Sequence, residues 1–200
     1  MTMSRKEKSA ETEQALKDAA RRVFAERGYL NTKITDITTA AGRAAGSFYN
    51  HFAGKEELLQ ALLSDLATAG DERAEQPDHN PDFSDPDAVR YHIAGYWMFA
   101  REHAPVLRAM NQAALVSDEF AGVLQQFGAE QRADIADHLD GLADKGLQLP
   151  TTRDASLAMM FTVTQAILAA VEDGAVELTD KQAIDGLTRF IYRGLTGRDY

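Results

Sequence analysis

The chain of 200 residues contains no cysteine, which excludes a disulfide framework and a thiolate metal site and fits a cytoplasmic protein. No uninterrupted apolar run approaches the length of a membrane span, so no membrane partner is expected. The start, MTMSRKEKSAETEQ, carries positive charge with no apolar stretch behind it and does not read as a secretory signal. Val and Ile are sparse beside plentiful Ala, a balance that favours helix over sheet. Of the 5 prolines, three fall within QPDHNPDFSDPD at 76–87, a loop. There is no glycine-rich phosphate loop. None of the histidines at 51, 79, 92, 103 and 138 stands in a Glu-x-x-His or His-Glu-x-x-His unit. Asp134 and His138, one turn apart, read as the solvated face of a charged helix. These absences predict a chain that is not an enzyme, with no metal site and no cofactor.

Charge is short of one sign, but unevenly. The formal net charge is −10, which by itself argues against nucleic acid. Residues 1–60 nevertheless hold 10 Lys/Arg and 8 Asp/Glu, while 61–200 hold 11 and 23. The acidity belongs to the second part, and the first remains able to sit against phosphate.

What is present is helical periodicity. Leu16, Ala19, Ala20, Val23 and Phe24 recur at steps of three and four in a first helix beginning near Glu11, capped by Ser9 or Thr12 and ended by Gly28. A short second helix from Thr32 turns Ile34, Ile37 and Ala41 inward and stops at Gly42. A third, Ala44 to His51, has Phe48 and Phe52 as anchors, and a fourth opens at Gly54 and Lys55. Five more follow: 88–101, 105–116, 118–145, 152–171 and 180–195. The fold class is all-α, with a region of short helices at 1–60 and a larger helical region at 61–200.

Two short helices around a tight glycine turn have the spacing of a helix-turn-helix, whose second member fits the DNA major groove. Donors for the flanking phosphates are supplied by Thr32, Lys33, Arg43, Ser47, Tyr49, Asn50, His51 and Lys55. Ala45, Gly46 and Asn50 face outward between the phenylalanine anchors and are the base-edge candidates. With few long side chains, direct readout is thin, and DNA shape supplies part of the specificity.

The run VFAERGYLNTKITDITTAAGRAAGSFYNHFAGKEELL, residues 23–59, resembles the N-terminal DNA-binding region of the TetR family of transcriptional regulators. Phe24, Gly28, Tyr29, Thr32, Ile34, Ile37, Ala41, Gly42, Gly46, Tyr49, Phe52, Lys55, Glu56 and Leu58 carry the resemblance. It implies that the third helix is the recognition helix and that Tyr49, His51 and Lys55 hold phosphates. It also implies a homodimer built on the last two helices, and a repressor that a small molecule releases from a near-palindromic operator. Three positions depart from the pattern: Thr38 for an alanine, Arg43 for a small aliphatic residue, and Ala44 for a Ser or Thr cap.

The acidic region has two expected tasks. Phe161, Thr164, Leu168 and Val171 with Ile184, Leu187, Ile191 and Leu195 are the candidate subunit seam. His92, Tyr96, Trp97, Phe99, Met110, Asn111, Phe120, Phe127, Met160, Phe161 and Gln165 are candidates for a pocket taking a small apolar or amphipathic effector; Gln112 is a further polar contact. The reading is a ligand-responsive regulator of double-stranded DNA. Its alternatives are a DNA-binding regulator without an effector, or a helical protein-interaction module.

Overall fold

The computed structural model of the protein describes residues 4–74 and 79–199, so positions 76–78 of the expected loop lie outside the described residues. Nine helices and no strand occur among the described residues: α1 (Arg5–Arg27), α2 (Ile34–Ala40), α3 (Ala45–Phe48), α4 (Lys55–Ala74), α5 (Pro86–Glu102), α6 (Ala104–Ala114), α7 (Asp118–Asp144), α8 (Arg153–Glu172) and α9 (Asp180–Thr196). The chain is all-α. It divides into two compact units, one of residues 4–74 with 103–125 and one of residues 79–102 with 126–199.

In the first unit α1 begins earlier than its apolar stripe. Ser9 and Thr12, expected as its cap, lie inside it; the cap is Ser4, whose Oγ accepts from Glu7 N at 3.2 Å while Ser4 N donates to Glu7 Oε2 at 2.6 Å. The stripe itself is inward as expected, with Leu16, Ala19 and Ala20 fully covered. Ile37, Phe48, Phe52, Leu58, Leu59 and Leu62 complete this core, each worth about 1.5–3 kcal/mol of burial. Asp65 of α4 accepts from Lys17 at 2.8 Å and Arg21 at 2.7 Å, tying α1 to α4. Helix α6 packs on both α1 and α4. The expected boundary at residue 60 falls within α4.

In the second unit α5 lies along α9, and α8 packs on both. Trp97 is wholly buried and its Nε1 donates to Asp180 Oδ1 at 3.0 Å, the first residue of α9; Arg101 pairs with the same carboxylate. The candidate subunit seam needs correction here. Thr164, Leu168, Ile184, Leu187, Ile191 and Leu195 are only 3–7 % exposed within a single chain, and Phe161 and Val171 are half-buried. An apolar stripe marks a face to be covered without saying by what, and these residues are covered by their own subunit.

Helix α8 is long and apolar enough to cross a membrane by length and composition alone, yet only 28 % of that stretch is buried in the chain. Thr162, Thr164 and Gln165 interrupt its apolar residues, which is why no continuous run shows in the sequence. Its uncovered side carries Met159, Thr162, Ala166 and Ala169, and Phe190 stands 65 % exposed on α9.

Candidate nucleic-acid interface

The expected third helix of residues 44–51 is shorter in the structure. Helix α3 is regular only over Ala45–Phe48, and the backbone closes with Asn50 N donating to Ser47 O and His51 N to Phe48 O. Ala44 stands at its N-cap with no side-chain bond, so the cap is missing as the sequence indicates. The turn before it uses Gly42 at φ 63°, a left-handed conformation that costs other residues energy. Thr38 Oγ1 donates back to Thr35 O at 3.3 Å within α2, again as its type implies.

One face of α3 is fixed and the other is open. Phe48 is fully buried and stacks at 5.6 Å on Phe52, which is also buried. Ala44, Ala45, Gly46, Tyr49 and Asn50 are exposed, Tyr49 by 61 %, with its ring edge-on to Phe48. A Cβ added to Gly46 would meet nothing within 4 Å. Nothing in the chain itself therefore requires glycine here, although glycine costs a helix about 0.5–1 kcal/mol relative to alanine.

The expected phosphate donors separate into two groups. Lys33, Tyr49 and Asn50 are exposed, and Ser47 is half-buried with its hydroxyl donating to Ala44 O at 2.8 Å. The others work inside the chain. Thr32 is 2 % exposed and its hydroxyl donates to Gly28 O at 2.7 Å, so this residue closes a turn instead of facing a phosphate. Lys55 donates to Tyr29 O at 2.9 Å and Thr32 O at 2.6 Å, with its ammonium 4.3 Å from the Tyr29 ring centre. Burial pushes the Lys55 ammonium below its ordinary pKa, and burial with Glu56 nearby pushes the Tyr29 phenol up. Arg43 pairs with Glu11 at 3.2 Å, and His51 Nδ1 lies 3.8 Å from Glu13 Oε2. Lys55 and Arg43 thus hold the turn, α1 and the approach to α4 in register around the open face.

Sequence reasoning missed Gln112 of α6 as part of this region. Its Oε1 accepts from Tyr29 N at 2.7 Å, and a Cβ on Gly28 (φ 72°) would come within 2.9 Å of it. The expected effector contact is instead a brace on the turn that precedes α2.

The pocket candidates are also redistributed. Met110 and Phe120 are completely covered in the first unit and leave no surface for a guest, and Asn111 is exposed. Trp97 is spent on the second unit's core. Phe99 and Phe127 are half-buried, and Met160 is 8 % exposed. Tyr96 is half-buried, bonds Gln165 and meets Phe161 edge-on at 5.7 Å; burial raises its phenol pKa. His92 sits instead among histidines. His138, expected on a solvated face, is 8 % exposed, and burial with the neighbouring His92 and His79 rings pushes it down to about 4. Asp134's side chain lies outside what is described.

An open, small-residue face carried by two aromatic anchors after a glycine turn is the form of a helix that enters a groove. Residues 16–62 match the family model described as bacterial regulatory proteins, tetR family. The match covers this N-terminal segment, which is of the tetR type. The chain is 40 % identical over 74 residues to the transcriptional regulator TtgR of Pseudomonas putida, covering 37 % of this chain and 35 % of that protein. The chain thus aligns with about a third of the length of this curated relative. Among solved structures, a TetR-like regulator from Rhodococcus sp. RHA1 superposes with a TM-score of 0.70 at 21 % identity, covering 96 % of this chain and 98 % of that one. FadR from Bacillus subtilis, in complex with stearoyl-CoA, gives 0.76 at 16 % identity over 91 % and 98 %. These likenesses extend the shared fold over 91–96 % of the chain.

Proposed function

We propose that the chain is a homodimeric, cytoplasmic transcriptional repressor that binds a near-palindromic operator in double-stranded DNA and is released by a small apolar or amphipathic effector. The functional division is 1–60 for DNA and 61–200 for effector and pairing. The observation that supports DNA contact best is Gly46: an exposed helical glycine with open space around it, inside the tetR-matched segment. A groove floor meeting α3 closely is a partner that would favour a missing side chain there. Tyr49, Asn50 and Lys33 then supply the flanking phosphate and base contacts. Two subunits would place their α3 helices in successive major grooves, about 34 Å apart.

The uncovered apolar side of α8, with Phe190 and the open glycines 186 and 194 of α9, is the surface for pairing. The Tyr96–Gln165–Phe161 corner gives the second unit a polar anchor beside an aromatic wall. FadR's complex with stearoyl-CoA, on a similar fold, favours an acyl-thioester effector.

Selection from random duplexes at low salt supplies the operator, on which Gly46→Gln is compared with the parent. The variant is expected to lose at least tenfold in affinity with its melting temperature unchanged. Equal affinity in parent and variant overturns the placement of α3 in the groove. Adding long-chain acyl-CoA is expected to weaken operator binding by about 5–150-fold, the usual range of coupling between sites; no change at saturation overturns the effector class.

A further inference from the structure

Three histidines remote in sequence converge in the second unit. His79 precedes α5, His92 lies on α5 and His138 on α7. His79 Nε2 is 3.1 Å from His92 Nε2 and 2.9 Å from His138 Nε2, and one ligand nitrogen from each ring lies within 4.8 Å of the others.

Hydrogen bonding among the rings does not account for this arrangement. His92 Nδ1 stands 2.9 Å from Ala88 O, a pure acceptor, so Nδ1 carries the proton and Nε2 presents a lone pair. A proton on His79 Nε2 can point fully at only one of its two neighbours. A proton on His138 Nε2 instead would leave His79 and His92 facing each other lone pair to lone pair. His138 Nδ1 is buried with no partner among the described residues, so no other bond compensates the covering of that ring. Three imidazoles with their Nε2 atoms crowded together form the donor set of a shared cation.

The surroundings hold this geometry in place. Phe83, fully buried, stands edge-on to His92 at 4.9 Å and to His138 at 5.2 Å. The segment carrying His79 is folded by its own side chains: Asp82 N donates to Asn80 Oδ1 at 3.0 Å and Asn80 Nδ2 to Asp85 Oδ2 at 3.1 Å. Lys145 binds Asp82 and donates to Ser84 Oγ at 2.9 Å, while Tyr192 donates to Ser84 O at 3.1 Å. The loop is thus fastened next to the ends of α7 and α9 before any ligand arrives.

We propose that His79, His92 and His138 form a site for a divalent transition metal of the zinc class, each giving its Nε2. Tetrahedral zinc with bonds of about 2.0–2.1 Å needs its nitrogens about 3.3 Å apart, so on binding the two short separations open by a few tenths of an ångström and the His92–His138 pair, within 4.8 Å, comes to the same spacing. Imidazole ligands select zinc, cobalt, nickel or copper over magnesium or calcium, which require oxygen. Asp82 is committed to Lys145 and Ser84, so the fourth position stays open for water or an anionic ligand. His92's bond to Ala88 O is the outer contact that orients a metal-binding imidazole.

The test uses the full chain, stripped with EDTA and desalted, titrated with zinc alone by calorimetry and with cobalt in the visible range. The parent is expected to take up one zinc per chain, to melt at higher temperature with zinc, and to give the intense cobalt bands of tetrahedral nitrogen ligation. His79→Ala, in a half-buried loop position, is expected to bind at least tenfold more weakly and to lose the zinc-dependent rise in melting temperature. His92→Gln repeats the measurement should His79→Ala not fold. No zinc uptake by the parent, affinity unchanged in a folded variant, or only the faint bands of octahedral cobalt overturns the site.

Discussion

Helix α3 has four residues, an alanine at its N-cap and no side-chain bond at its start, whereas α9 has 17 residues, a capping box at Thr179 and left-handed Gly197 at its end. Four residues cannot hold a helix by local bonding, since nucleation alone is unfavourable. Helix α3 exists because Phe48 is driven into the core of the first unit and Phe52 follows it. Lys55 fastens the neighbouring turn through the Tyr29 and Thr32 carbonyls. Helix α9 would keep its limits from its own sequence signals. The exposed face of α3 therefore takes its rigidity from elsewhere, which leaves its positions free to be small.

The comparison breaks most strongly at the phenylalanines. Phe48→Ala is expected to cost about 3–5 kcal/mol in urea unfolding and to abolish operator binding, because the anchor of α3 goes with its core contact. Phe190→Asp on α9 replaces a ring that is 65 % exposed, so the single subunit should lose no more than about 0.5 kcal/mol. Its effect should appear instead as monomers in sedimentation. A Phe190→Asp protein that remains dimeric would remove the α8–α9 outer face from the pairing surface.

The caps offer a smaller and reciprocal change. Thr179→Ala removes the hydroxyl that accepts from Gln182 N at 3.3 Å and should destabilise by about 1 kcal/mol. Ala44→Ser supplies α3 with the cap it lacks and should stabilise by about 0.5–1 kcal/mol. If neither moves the thermal midpoint, the contrast drawn between local and borrowed stability is wrong.

Much of this was legible in the residues. The steps of three and four found every helix, and the glycine turn followed by Phe48 and Phe52 identified the open face of α3. What periodicity does not contain is the identity of the covering surface. Ile184, Leu187 and Ile191 have the stripe of a subunit seam and of an internal core alike, and only packing tells that α5 and α8 cover them. Lys55 has the composition of a phosphate ligand, but its long chain folds back onto the carbonyls of Tyr29 and Thr32. Nor does any local motif join His79, His92 and His138, which tertiary folding brings together across 13 and 46 residues of chain.

The finest contrast lies between two exposed lysines. Lys33 precedes α2 and uses its backbone N–H on Asp36 Oδ2 at 2.9 Å, so its side chain is dispensable to the fold. Lys181 lies in the first turn of α9, its side chain 80 % exposed and paired with Asp185 at 2.6 Å. If Lys33 neutralises one phosphate, Lys33→Ala should weaken binding to all duplexes alike and reduce the slope of log affinity against log salt by about 0.9. Lys181→Ala should leave that slope unchanged, because its charge already answers a carboxylate of the same helix. Equal slopes in the parent and both variants would place the protein–phosphate contact away from the start of α2, while leaving the groove position of α3 to be judged by Gly46.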